Sequence, residues 1–127
     1  MNSFSMNGYF WQVRFVEAND PMLMDRTGHQ AMATTDPTSH TVYLSNVLYG
    51  DFLMKVLLHE LGHCALVSFN LLDDIHRMVK PEYWIEAEEW ACNLIADYGF
   101  TIFSTAFDIL GYDAWKLIPQ SLDRLIA

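Results

Sequence analysis

From Tyr9 to Val16 the chain alternates, with Trp11, Val13 and Phe15 on one side and Gln12 and Arg14 on the other. A period of two predicts a β-strand with one buried face. Asn19-Asp20-Pro21 breaks it. A second strand is expected over residues 31–35. The turn residues Asp36-Pro37-Thr38-Ser39 then lead into a third, residues 40–45, rich in β-formers; these two should form a hairpin. The period then changes. Residues 52–69 contain no proline, and apolar residues cover every face, which predicts a buried central helix with Asp51 as its N-cap. Residues 70–80 read as a connection with a helical turn starting at Asp73-Asp74. Pro81 and Glu82 suit the first turn of another helix, running to Tyr98 and stopped by Gly99. Residues 101–110 form a further helix ending at Gly111, and residues 113–118 and 121–126 read as short helical pieces around Pro119. Strands first and helices after define an α+β class: a small twisted antiparallel or mixed sheet packed on the central helix, followed by C-terminal helices.

The length of 127 residues fits a single domain, 1–127, with residues 1–8 expected to be flexible. The net charge of −9 disfavours nucleic-acid binding, because phosphate backbones are repelled and the seven Lys and Arg form no stripe. No run reaches the roughly 18 apolar residues of a membrane span, and the N-terminus has no signal-like pattern. The expectation is therefore a cytoplasmic chain with no membrane partner. The two cysteines, Cys64 and Cys92, fall in helical patterns and read as reduced core residues.

The chemistry lies in His59-Glu60-Leu61-Gly62-His63, an HExxH motif on the central helix. Residues four apart stand one above the other on a helix, so both imidazoles can reach one ion. Glu60 sits about 100° round the helix, where it can hold a water beside a metal as general base. Leaving two His and a Glu unpartnered in an apolar helix would cost several kcal/mol, and a metal removes that cost. A zinc site needs a further ligand and an open fourth position. His29, His40 and His76 do not stand at a suitable spacing after His63. The next helix supplies a carboxylate stripe, Glu82, Glu86, Glu89, Asn93 and Asp97, in which Glu86 or Glu89 could reach the metal. Candidates to stabilise an oxyanion are His76, Tyr83 and Tyr98. Gly62 is expected to admit a closely packed neighbour.

HELGH followed on the next helix by Glu89-Trp90-Ala91-Cys92-Asn93-Leu94-Ile95-Ala96 resembles the ImmA/IrrE-like gluzincin metallopeptidases. Their second motif is Glu-x-x-Ala-Asn-x-Phe-Ala, and its Leu-Leu-Met-Pro ending is replaced here by Ala96-Asp97-Tyr98-Gly99. The resemblance covers residues 40–98. It implies a single Zn2+ held by His59, His63 and Glu89, with Asn93 orienting a ligand. It also implies that the strand Thr41-Val42-Tyr43-Leu44-Ser45 is the edge on which an extended peptide lies. The function expected on these grounds is hydrolysis of peptide bonds in a peptide or protein substrate, with Glu60 as general base. The alternative is a catalytically silent, zinc-stabilised binding module or partner-dependent regulatory factor on the same fold.

Overall fold

The structure is a computed structural model and describes residues 2–111. It divides into two units, Met1–Asp97 and Tyr98–Ala127. The helical pieces expected at 113–118 and 121–126 lie outside the described residues.

In the first unit, strands β1 (Ser3–Met6), β2 (Tyr9–Val16), β3 (Ala33–Asp36) and β4 (Thr41–Ser45) form one mixed sheet in the order β1-β2-β4-β3. The class is α+β, as the pattern of elements predicts. Residues 1–8, expected to be flexible, instead contain β1, paired antiparallel to β2. The reason is the dipeptide Asn7-Gly8, whose φ values of 49° and 81° are those of a tight two-residue hairpin turn. β2 and β4 run parallel, and β3 returns antiparallel against β4 in the expected hairpin.

This order corrects one expectation. Residues 41–45 are not an edge. β4 is paired on both sides, and Thr41, Val42, Leu44 and Ser45 are all buried, as befits a central strand. The free edge on that side of the sheet belongs to β3.

Helix α1 (Gly50–Ser68) packs on the sheet through a core of Trp11, Ala33, Val42, Leu44, Leu48 and Cys64. Its N-cap is Tyr49, not Asp51; Asp51 sits in the first turn, where its charge complements the helix dipole. Asn70, at φ 54°, ends α1 in the left-handed region, and Leu71 N donates back to Leu66 O at 2.8 Å. The hairpin is fastened to the same helix end. Trp11 Nε1 donates to Ser68 Oγ at 2.8 Å, and Asn7 Nδ2 to Ser68 O at 2.9 Å.

Helix α2 (Leu72–Met78) turns away from α1 by 88°, and a single 3-10 turn at Pro81–Tyr83 leads into α3 (Trp84–Leu94). A second core of Leu66, Ile75 and Cys92 joins α1, α2 and α3. The helix expected to run to Tyr98 ends sooner, at Leu94, and passes into a π-helical turn at Ile95–Gly99. Gly99 does not stop it, because its backbone is helical at φ −58°. In the second unit α4 (Phe100–Leu110) ends at Gly111, φ 64°, whose N–H bonds Phe107 O. Among the described residues no single helix is long and apolar enough to cross a membrane.

Candidate metal centre

α1 and α3 approach closely at Gly62. A Cβ built there would stand 3.2 Å from Cys92 Sγ and 3.3 Å from Cys92 Cα, so the absence of a side chain lets α3 come this near. That approach sets the carboxylate stripe of α3 beside the HExxH face of α1.

The result is a tight cluster. His59 Nε2 and His63 Nε2 are 3.1 Å apart, Glu89 Oε2 lies 3.0 Å from His59 Nε2, and Glu89 Oε1 lies 3.3 Å from His63 Nε2. Zinc–ligand bonds of about 2.0–2.1 Å at tetrahedral angles put neighbouring donor atoms about 3.3 Å apart. These three residues therefore form a donor set of the right chemistry and nearly the right size for zinc. Glu86 is exposed and outside the cluster, as are Glu82 and Asn93. Asp97 pairs with Lys55 Nζ at 2.8 Å.

Glu60 is buried but is not one of the converging donors. Thr35 Oγ1, from the edge strand, donates to its Oε2 at 2.5 Å. Burial pushes the Glu60 carboxyl upward, against the opposing pull of Thr35, His63 and His59. Glu89 is driven far down by hydrogen bonds from His59 and His63. For His63, burial favours the neutral ring, yet hydrogen bonding to Cys92, Glu88 and Glu89 outweighs it and pushes the ring up to about 12.

Three contributors were not singled out by the sequence pattern. Glu88, buried, holds His63 Nδ1 at 2.9 Å through Oε1. Arg26 Nη1 donates to Glu88 Oε2 at 2.9 Å, and Arg26 Nη2 to Glu89 Oε1 at 3.3 Å. Thr35 is the third. Glu88 lies one residue from the stripe and so about 100° round the helix from Glu89. It was findable only as a second carboxylate in a helix whose neighbours, Ala87 and Ala91, are small. A lone Arg in a turn carries no spacing at all. Of the suggested oxyanion residues, neither His76 nor Tyr83 lines the cavity beside the cluster. His76 stacks on Trp84 with ring centroids 4.0 Å apart, Tyr83 is exposed, and Tyr98 belongs to the second unit.

The cluster opens into a cavity of about 670 Å³. One wall is helical, with His59, Glu60, His63, Glu88 and Glu89; the other is the segment between β2 and β4, including Arg26, Thr34 and Thr35. A smaller hollow of about 230 Å³ on the other side of His59 and Glu60 is lined by Ala33, Phe52, Val56 and Asn93 among others.

Comparison of the chain with protein-family models, with curated proteins and with solved structures returns no match. The functional reading therefore stands on the site.

Proposed function

We propose that the chain is a zinc-dependent metallopeptidase of the gluzincin type, with His59, His63 and Glu89 holding the metal and Glu60 as general base. The observation that carries this reading is the convergence of two imidazole nitrogens and one carboxylate at about zinc-ligand separation, with a buried Glu60 beside them and a cavity in front. Asp25, Glu60, Glu88 and Glu89 bring four carboxylates to the cavity against the one guanidinium of Arg26, an excess of negative charge that favours a divalent cation. Held by His59, His63 and Glu89, zinc would supply a Lewis acid and lower the pKa of a water.

Glu60 accepts a proton from the attacking water and returns it to the leaving amine. Its raised pKa brings the carboxyl closer to the working range of a general base. Glu88 keeps the His63 ring oriented through Nδ1, leaving Nε2 for the metal.

The edge available to a peptide is β3, not β4. Ser45 N bonds Met32 O, so in the alternating antiparallel pattern Thr34 pairs with Tyr43, while the backbone groups of Ala33 and Thr35 point away from β4. A substrate laid there passes Thr35 and hence Glu60.

The test is zinc content by mass spectrometry together with peptide-library cleavage, for wild type, Glu89→Ala and Glu60→Gln. The expected pattern is a single zinc per wild-type chain and weak retention in Glu89→Ala. Glu60→Gln should keep zinc but lose hydrolysis by about 10²–10⁴-fold. Zinc binding with no cleavage of any peptide would favour the binding-module alternative. No zinc in wild type after reconstitution would overturn the proposal.

A further inference from the structure

Among the described residues, Arg26 is the only Lys or Arg lining the large cavity. It sits in a turn whose shape is fixed locally. Asp25 Oδ1 accepts from Thr27 N and His29 N, each at 2.9 Å, and from Thr27 Oγ1 at 2.6 Å. Asp25 N donates to His29 O, Gly28 takes φ 86°, and Met24 bridges Gln30. The turn thus holds Arg26 through hydrogen bonds among its own residues.

Both of the guanidinium's ion pairs are with carboxylates of the site. Glu88 has one oxygen on His63 Nδ1 and the other on Arg26 Nη1. Glu89 Oε1, which faces His63 Nε2, also accepts from Arg26 Nη2. The planar guanidinium therefore reaches behind His63 through Glu88 and at the same time touches Glu89 directly. A guanidinium can span two carboxylates in this way; an ammonium is a single point charge.

From this arrangement we infer that Arg26 is a positioning residue for the metal ligands, and that through it metal affinity is coupled to the order of the 24–30 turn. The inference rests on the metal reading above. Arg26 restrains Glu88 and Glu89 in the geometry the metal requires, and supplies part of the charge that lets two adjacent carboxylates share the site. Partners behind the ligands are commonly worth about 10–100-fold in metal affinity. Coupling is reciprocal, so a metal that gains from an ordered turn must itself order the turn.

The experiment compares full-length wild type, Arg26→Gln and Arg26→Lys. Zinc affinity is read by competition with a chromophoric chelator, and the order of residues 24–30 by amide hydrogen exchange with and without zinc. Arg26→Gln should bind zinc about 10–100-fold more weakly, and Arg26→Lys should recover only part of the loss. Zinc should slow exchange in the turn of wild type and leave it nearly unchanged in Arg26→Gln. A residue that merely anchored the loop would raise exchange in the variant without altering zinc affinity. Should Arg26→Gln fail to fold, Arg26→Lys carries the same comparison.

Wild-type zinc affinity in both variants overturns the inference and leaves the metal site standing. So does equal zinc protection of the turn in wild type and variant. A wild type that binds no zinc overturns the metal reading, and this inference with it.

Discussion

His63 is gripped from two directions, by Glu88 at Nδ1 and by Glu89 and His59 near Nε2. Without metal these contacts hold a proton on the ring well above its ordinary value. A metal must expel that proton, so apparent zinc affinity should rise with pH and fall as pH is lowered. Chelator competition between about pH 6 and 8 should show up to about a tenfold change per unit for each proton displaced. A flat profile would mean that no proton is held on His63 over this range for a metal to displace. Gly62 offers a second test at this scale. Alanine there gains about 1 kcal/mol of helix propensity but meets the Cα of Cys92, which cannot move aside by changing rotamer. Overpacking of this kind costs about 1–3 kcal/mol. Denaturant unfolding of Gly62→Ala should therefore show a net loss of stability, with weaker zinc retention because α3 carries Glu89.

Among the elements, the β1–β2 hairpin and α1 depend on one another through a few polar atoms. Asn7 serves both the left-handed turn and the Ser68 carbonyl at the end of α1. Asn7→Ala should cost about 1–3 kcal/mol, from the strained φ and the lost bond, measured as a lower denaturation midpoint with zinc content unchanged. This hairpin also shows where sequence reading stopped. The alternation from Tyr9 to Val16 was legible because Trp11 and Val13 share a face, but β1 is only four residues long. Its one signal was the turn dipeptide Asn7-Gly8. His59, Glu60 and His63 were legible because one helix fixes their spacing, and Glu89 because a third ligand was needed. The position of β4 inside the sheet was not legible, since parallel pairing of β2 with β4 is a long-range choice that a local pattern does not encode. Gly99 misled because glycine tolerates a helical φ as readily as a left-handed one.

For the molecule as a whole, of net charge −9, the divalent cation proposed above would be a structural asset as well as a chemical one, because it would sit among gathered carboxylates. Ligand binding stabilises the native state by about 4 kcal/mol at a thousandfold excess over Kd. Chelation should accordingly lower the melting temperature of wild type and change that of Glu89→Ala far less. The cavity itself is built from two kinds of material. The groups proposed for chemistry, His59, Glu60, His63 and Glu89, ride on two helices locked together at Gly62 and Cys92. The facing wall, from Asp25 to Pro37, belongs to one excursion of the chain between the parallel neighbours β2 and β4. Both ends of that excursion are pinned in the sheet, and within it Arg26 and Thr35 hold Glu88, Glu89 and Glu60. Changes at its other positions, which touch none of these carboxylates, should alter what the cavity admits while the helical half keeps its geometry.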